Sequence, residues 1–213
     1  MNPSNPLFPR VIRRAAISGL PLPGFLRIPQ PTNGRIFLTF DDGPLPEYTP
    51  QLLDLLARRR VKATFFVLGQ ELERHPSLAE RIVKEGHALG NHSFAHPNLD
   101  QLTVRDALQE VERCQQIIST LGGTRLFRPP RGRIGFLLWQ RLVHLGYRIT
   151  LWNVDSLDWR KNLSPDTLHE RLQKHVTPGS VVLCHDDNPA TLVALDRLLP
   201  MALDRGWKFD ALR

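Results

Sequence analysis

Two polar segments that each follow an apolar run carry the residues best suited to bind a metal. Asp41 and Asp42 come directly after residues 35–40 (RIFLTF), and a second apolar run precedes the H-x-x-x-H pair His92 and His96. One carboxylate and two imidazoles suit a catalytic divalent cation, because such a set leaves coordination positions for water and substrate. We therefore expect Asp42 to share one cation with the two histidines, which the spacing places on one face of a helical turn. Asp41 would then act on a water beside that cation.

Three further polar segments stand where an apolar run ends. They are residues 127–132 (FRPPRG), 152–159 (WNVDSLDW) and 184–187 (CHDD). Each of the five segments alone has an ordinary structural explanation. Asp-Gly-Pro forms turns with solvated acids, paired prolines stiffen a loop, and single histidines are common on surfaces and at strand ends. Five such segments in one chain favour a shared site instead.

The stretches between these segments predict alternating strands and helices. Apolar, β-branched runs predict strands, and leucine or valine at helical spacing, proline at a first turn and a capping serine predict helices. The predicted strands include residues 35–40, 63–68, 147–151 and 180–185, and the predicted helices include residues 48–60, 76–85, 103–121 and one that begins at 164–165.

Glycine ends three of the predicted helices. Gly86, Gly146 and Gly206 each separate a helical stretch from an apolar run, and glycine accepts the left-handed conformation that stops a helix. Helix–Gly–strand units in series predict a mainly parallel sheet of about six or seven βα units over residues 35–213. The expected fold is therefore a single-domain α/β barrel, closed or nearly closed, with its polar strand ends at the edge where such barrels hold their active sites.

The five segments, in this order, resemble the motifs of the polysaccharide deacetylase family, the chitooligosaccharide deacetylase-like, metal-dependent carbohydrate esterases. The most specific match is T-F-D-D-G-P at residues 39–44 with H-S-x-x-H downstream at residues 92–96. The resemblance runs from residue 35 to residue 212 and implies a distorted (β/α)7-type barrel.

The resemblance implies a role for each matched residue on the metal side of the site. Asp42, His92 and His96 are similar to the family's metal ligands, which usually bind zinc and accept cobalt or nickel. Asp41 resembles the general base that activates the attacking water. Arg128 resembles the residue that pairs with this base and orients it.

A second group of matched residues resembles the leaving-group side of the family's site. His185 is similar to the general acid that protonates the departing amine, and Asp158 to the carboxylate that keeps this histidine cationic. Trp159 and Leu183 resemble the walls of a small acetyl pocket. Cleavage of an amide needs such an acid opposite the base, because an unprotonated amine is a poor leaving group.

Arg131 departs from the family pattern, which usually has tyrosine after R-P-P. The family residue at this position is associated with an oxyanion contact through its backbone N–H, and a backbone donor survives a change of side chain. We therefore expect Arg131 to remain a substrate-binding residue. Together with Arg133, its side chain points to a substrate with an acidic or phosphorylated group.

Composition excludes some classes of protein. The chain has 213 residues, of which 41% are hydrophobic and 23% charged, and no run approaches the ~18 apolar residues that cross a bilayer. A net charge of +7 favours peripheral contact with anionic surfaces, but no nucleic-acid-binding motif accompanies it, so no specific nucleic-acid partner is expected. Cys114 and Cys184 are expected in the core rather than in a disulfide. The oligomeric state is left open.

Residues 1–34 differ from the rest in holding seven prolines, four arginines and no acidic residue. This composition predicts an irregular basic arm that packs on the catalytic domain at 35–213. The expected apolar anchors of the arm are Ile17, Leu20, Leu22 and Phe25. A secretory signal after Arg13 and Arg14 is the alternative, although glycine and proline interrupt the apolar stretch and no A-x-A cleavage site follows. A cytoplasmic location is slightly favoured over export to the cell envelope.

Three functions remain open at this point. The resemblance implies a metal-dependent hydrolase that removes an N-acetyl group from an amino-sugar glycan such as peptidoglycan or a chitin-type oligomer. A deformylase or amidase acting on a lipid-linked sugar or a small cyclic amide is the alternative, and the basic arm would suit an anionic lipid carrier. A glycan-binding protein without turnover is the third, but the complete set of motif residues argues against it.

Overall fold

Parallel strands and helices alternate along the chain, as the glycine-punctuated pattern predicted. The computed structural model describes residues 23–26, 28 and 31–213. The strands are β1 (Arg35–Asp41), β2 (Thr64–Val67), β3 (Ala88–Asn91), β4 (Leu126–Phe127), β5 (Arg148–Ile149), β6 (Val154–Asp155), β7 (Val181–His185) and β8 (Lys208–Phe209). The helices are α1 (Thr49–Arg59), α2 (Gly69–Arg74), α3 (Pro76–Lys84), α4 (Val104–Thr120), α5 (Phe136–His144), α6 (Pro165–His175) and α7 (Pro189–Asp204).

The sheet curls into an incomplete barrel. Its strand order is β5-β4-β3-β2-β1-β7-β6, and β8 pairs with the first residues of β1. All of these pairings are parallel. Because β5 and β6 form the two edges of the described sheet, the barrel is open between them. The expected single-domain (β/α)7-type fold is confirmed, in its open rather than its closed form.

The register of the parallel strands brings distant residues side by side at one edge. Asp41 at the end of β1 pairs with His185 at the end of β7, and Asn91 at the end of β3 pairs with Phe127 of β4. The residues that follow Asn91 and Phe127 therefore leave the sheet next to each other. All of these positions lie at the carboxyl edge, where the loops of a βα barrel form its site.

Apolar side chains on both faces of the central strands hold this edge in place. In β1, all residues from Ile36 to Asp41 are buried, and Phe40 packs against Phe65 of β2 with ring centroids 5.2 Å apart. Full burial of one such side chain contributes on the order of 1.5–3 kcal/mol. Cys114 and Cys184 are both buried and unbridged, which confirms their assignment to the core.

The sequence signals for helix ends are confirmed. The Ser164 side chain accepts a hydrogen bond from the Thr167 N–H at 3.1 Å and caps α6. Gly86, Gly146 and Gly206 have φ angles of 81°, 80° and 76°, a left-handed conformation that costs glycine little. Each of them turns the chain from a helix towards the next strand.

The predicted arm is described only in part. Ile17, Leu20 and Leu22 lie outside the described residues. Phe25 is half-buried against the apolar cluster beneath β5, and the Leu26 N–H donates to the Ile149 carbonyl at 2.8 Å. This short segment therefore runs beside the edge strand β5. No helix in the described part of the chain is long and apolar enough to cross a membrane.

Candidate active site

Asp42, His92 and His96 come together at the carboxyl edge of the sheet. One ligand atom from each residue lies within 4.8 Å of the other two. Asp42 Oδ1 lies 3.5 Å from Nε2 of His92 and 3.5 Å from Nε2 of His96. Three donor atoms at such distances surround a space of the size that one cation needs.

The loop that carries the two histidines is irregular, so the expected helical turn is wrong. Ser93 and His96 have left-handed φ angles of 73° and 57°, which a helix does not contain. Side chains hold the loop instead: Asn91 Oδ1 accepts from the Ser93 N–H at 2.9 Å, and Ser93 Oγ accepts from the His96 N–H at 3.1 Å. This irregular loop still brings the centroids of the His92 and His96 rings to 5.1 Å from each other.

His92 presents a neutral ring nitrogen to this space. Its Nδ1 lies 2.7 Å from the Arg128 carbonyl oxygen, which can only accept a hydrogen bond, so Nδ1 carries the proton and the Nε2 lone pair faces Asp42. Burial lowers the pKa of His92 to about 3. A neutral imidazole whose other nitrogen donates to a carbonyl is the form in which histidine binds metals.

These residues fit a divalent cation. Asp42 Oδ1 is buried and has no hydrogen-bond partner within the described structure, and a buried acceptor left without a partner is costly. A cation between this oxygen and the two Nε2 atoms would satisfy all three groups at once. Two imidazoles and one carboxylate match the ligand sets of catalytic zinc sites.

Asp41 lies beside this space in a buried ion pair with Arg128. Arg128 Nη1 donates to Asp41 Oδ1 at 2.7 Å and to Thr39 Oγ1 at 2.7 Å, and the guanidinium lies 4.1 Å from the centroid of Phe66. Arg128 is fully buried. Burial raises the pKa of Asp41 above its ordinary value, and the Arg128 charge opposes this rise. The second oxygen, Oδ2, remains on the side of His92, 3.6 Å from its Nε2.

His185 forms the opposite pairing with Asp158. Its Nδ1 lies 2.7 Å from Asp158 Oδ1, while Asp158 Oδ2 accepts from the His185 backbone N–H at 2.7 Å and from Thr191 Oγ1 at 2.8 Å. Burial alone would lower the pKa of His185, but the hydrogen bond and charge of Asp158 outweigh it and raise the pKa to about 9. The ring is therefore cationic at neutral pH, with Nε2–H free of the Asp158 pairing.

The three predicted substrate-binding residues occupy different positions. Leu183 is buried in a cluster with Phe66 and Trp152 below the site. Trp159 is 56% exposed, and its Nε1 donates to Asp155 Oδ1 at 3.3 Å. Arg131 is also exposed, with a left-handed φ of 56°, and its guanidinium donates to Asn98 Oδ1 of the loop that carries His96.

Sequence reasoning missed one buried acid next to this site. Asp186 follows His185 directly and is only 3% exposed. Its Oδ2 accepts from Thr49 Oγ1 at 2.6 Å, although the two residues are 137 positions apart. The H-D-D sequence at 185–187 was visible, but nothing in it separates a buried aspartate from a solvated one.

The sequence that forms this site matches a known protein family. The polysaccharide deacetylase model matches residues 29–150, which include Asp41, Asp42, both loop histidines and Arg128. This chain belongs to the polysaccharide deacetylase family. The same assignment follows from solved structures: a family 4 carbohydrate esterase from Streptomyces lividans in complex with acetate has a TM-score of 0.79 and 35% identity, covering 85% of this chain and 94% of that one.

Three relatives show the range of named activities in the family. A peptidoglycan-N-acetylglucosamine deacetylase of Bacillus cereus is 37% identical over 84% of this chain, which spans 66% of that relative's length. The peptidoglycan-N-acetylmuramic acid deacetylase PdaC of Bacillus subtilis is 37% identical over 84% of this chain, which spans 38% of its length. A chitooligosaccharide deacetylase of Sinorhizobium fredii is 35% identical, with 81% of this chain and 87% of that relative covered.

Proposed function

We propose that this chain is a metal-dependent hydrolase that removes the N-acetyl group from an amino-sugar residue of a glycan. One observation carries the proposal. Asp41, paired with Arg128, stands at the end of β1. His185, paired with Asp158, stands at the end of the neighbouring strand β7, and the three candidate metal ligands lie beside both. That arrangement supplies a base, an acid and a place for a Lewis acid within one cleft. The named activities of the three relatives support the same reaction class.

We propose zinc as the cation, with cobalt or nickel as substitutes, held by Asp42, His92 and His96. A divalent ion there would lower the pKa of a bound water towards about 7 and polarise the amide carbonyl. The remaining chemistry belongs to side chains of this chain.

Asp41 takes a proton from the attacking water at its Oδ2 atom. Arg128 occupies Oδ1 at 2.7 Å, so the free lone pairs of the carboxylate are those of Oδ2, on the metal-site side. The ion pair keeps this base charged in a buried position, and burial makes the carboxylate more basic than an exposed one. Both effects suit a general base.

His185 gives a proton to the amide nitrogen as the C–N bond breaks. Asp158 binds Nδ1, so the proton that is delivered comes from Nε2. Because the pKa of His185 is raised to about 9, this proton is present throughout the neutral range. Asp41 and His185 are partners in the β1–β7 register, so the acid and the base reach the scissile bond from adjacent strand ends.

The substrate is proposed to be an N-acetylglucosamine-type glycan, with N-acetylmuramic acid as the second candidate. Arg131 favours the second, because its exposed guanidinium contacts Asn98, two residues after His96, and the muramic sugar carries a carboxylate that can pair with it. The relatives do not separate the two candidates, because PdaC and the N-acetylglucosamine deacetylase of Bacillus cereus are both 37% identical to this chain. We propose that the Arg131 backbone N–H serves the oxyanion in either case.

An acetate-release screen tests the proposal. Purified protein loaded with zinc would be incubated with N-acetylglucosamine oligomers and with peptidoglycan, with and without a chelator, while formate is measured in parallel. Acetate release that is lost with chelator and in Asp41→Asn is expected. Asp196→Asn, which removes an exposed carboxylate on α7, is the matched control and should retain full activity. Formate release would favour the deformylase alternative, and activity in Asp41→Asn equal to that of the control would contradict the proposed mechanism.

A further inference from the structure

A buried carboxyl group next to the site has no part in the chemistry described so far. Asp186 leaves β7 directly after His185, and its side chain turns beneath the loop that connects β1 to α1. Its Oδ2 accepts a hydrogen bond from Thr49 Oγ1 at 2.6 Å, and its Oδ1 is buried without a partner in the described structure. A buried acid is expensive to maintain unless the fold uses it.

The Thr49 hydroxyl connects this acid to the loop that carries Asp42. Besides donating to Asp186, Thr49 Oγ1 accepts from the Leu45 backbone N–H at 2.7 Å. A hydroxyl has one proton to donate and can also accept, so both bonds form at the same time. Asp186 therefore holds the end of the β1–α1 loop through a two-bond chain.

Gly43, at the beginning of the same loop, is in close contact with the Asp186 carboxyl group. A Cβ atom built on Gly43 would lie 2.0 Å from Asp186 Oδ2. Gly43 does not have a positive φ, so this contact, and not backbone freedom, requires glycine there. Gly43 is the residue after Asp42, whose own φ of 79° is in the left-handed region. A non-glycine residue keeps such a conformation only when its surroundings hold it there.

We propose that Asp186 is a positioning residue for the metal ligand Asp42. By contacting Gly43 and binding Thr49, it fixes both ends of the β1–α1 loop and so sets where the Asp42 carboxylate points. The inference rests on the proposed metal site. Burial raises the pKa of Asp186 to about 7, although the hydrogen bond from Thr49 opposes this rise.

Metal affinity of the apo-protein is the decisive measurement. Zn²⁺ would be titrated by calorimetry into the wild type, Thr49→Val and Asp186→Leu. We expect both variants to bind Zn²⁺ about 10–100-fold more weakly, the usual effect of removing a group that orients a metal ligand. Thr49→Ser and Asp186→Asn keep the hydroxyl and the acceptor oxygen, and both should bind within about threefold of the wild type.

Thr64→Val is the matched control. It makes the same substitution at a buried threonine whose Oγ1 accepts from the Leu212 N–H, at the opposite end of the strands. Urea unfolding of the variants measures how much stability each loses. If Thr49→Val loses stability as Thr64→Val does and binds Zn²⁺ like the wild type, Asp186 and Thr49 are structural only and the inference is wrong.

Activity separates this inference from the proposed function. At limiting Zn²⁺ we expect Thr49→Val to have a lower kcat with an unchanged KM, and excess Zn²⁺ should restore it. A wild type that binds Zn²⁺ but releases no acetate would overturn the proposed function, while the affinity comparison would still decide the role of Asp186. A wild type that binds no Zn²⁺ would overturn both.

Discussion

The sharpest test of the acid–base assignment is the substitution Asp158→Asn. The change keeps the size of the side chain and removes the charge that faces His185 Nδ1 at 2.7 Å. In the wild type that charge and its hydrogen bond raise the pKa of His185 to about 9 against the effect of burial. Without that charge, burial is the largest remaining influence and opposes the weaker effects of Asp41 and Asp42, so we expect the pKa of His185 to fall to its ordinary value of 6.5 or lower.

The size of the effect depends on pH in a predictable way. A pKa of about 9 leaves His185 about 99% protonated at pH 7 and about 90% at pH 8. With a pKa of 6.5 or lower, the variant would be at most about 24% protonated at pH 7 and about 3% at pH 8. Loss of the protonated acid alone therefore lowers the rate at least about fourfold at pH 7 and about 30-fold at pH 8. Any misorientation of the ring adds a loss that does not vary with pH.

The assay is the pH profile of kcat/KM for acetate release at fixed excess metal. We expect the alkaline limb of the profile to move from near pH 9 in the wild type to 6.5 or lower in Asp158→Asn. A bound cation would lower the pKa of His185 in both proteins, so the separation between the two limbs is the quantity to compare. Asp155→Asn is the control, since Asp155 bonds to Trp159 and Leu157 rather than to His185. Coincident alkaline limbs in the wild type and Asp158→Asn would refute the assignment of His185 as the acid.

Stability offers a second readout of the same pair. A histidine whose folded-state pKa lies above its unfolded-state value stabilises the fold fully below about pH 6.5, and this contribution is lost as the pH rises through about 9. The difference in unfolding free energy between the wild type and Asp158→Asn should therefore be largest in mildly acidic solution and should narrow above pH 9. A difference that does not change with pH would mean that Asp158 and His185 are not coupled.

Three other substitutions test the packing around the site. Arg128→Met leaves Asp41 buried without its partner and should cost about 3–5 kcal/mol in urea unfolding; a loss below about 1 kcal/mol would mean that the ion pair holds little of the structure. Gly90→Ala places a Cβ 2.6 Å from Phe66 Cε1, beneath the Arg128 guanidinium, and should cost about 1–3 kcal/mol by overpacking; a neutral result would show that Phe66 can move. Ser164→Ala removes the cap of α6 and should cost about 1 kcal/mol without changing kcat; a lower kcat would link α6 to the site.

Local signals in the sequence were sufficient to predict most of the fold. The apolar run before Asp41 and the glycines after three helices mark strand and helix ends by steric rules that act over a few residues. Such local signals could not predict that the barrel is open between β5 and β6. Strands β5 and β6 are neighbours in the chain and are both only two residues long, and nothing in either segment shows that they fail to pair.

The loop between His92 and His96 shows how a correct grouping can accompany a wrong conformation. Spacing alone placed the two imidazoles together, and they are together. The helical turn was expected because H-x-x-x-H on a helix is the familiar way to achieve this. The actual loop depends on Asn91, which accepts from Ser93, and on Glu110 of α4, which accepts from the Ala95 N–H at 2.8 Å. The second of these contacts joins residues 15 positions apart, beyond the reach of a local pattern.

The ends of β1 and β7 carry groups of opposite charge, and each group is paired with a partner of the other sign. Asp41 is a buried anion paired with the cation Arg128, and His185 is a partly buried cation paired with the buried anion Asp158. Each pairing favours the charged form of the proposed catalytic group, and burial makes loss of either partner costly. Because the two pairs stand on adjacent strands beside the candidate metal ligands, a change in one partner alters the pKa of a group in the proposed reaction. The pKa of His185 is therefore the property by which the site can be disabled most cleanly, and Asp158→Asn is the substitution that changes it.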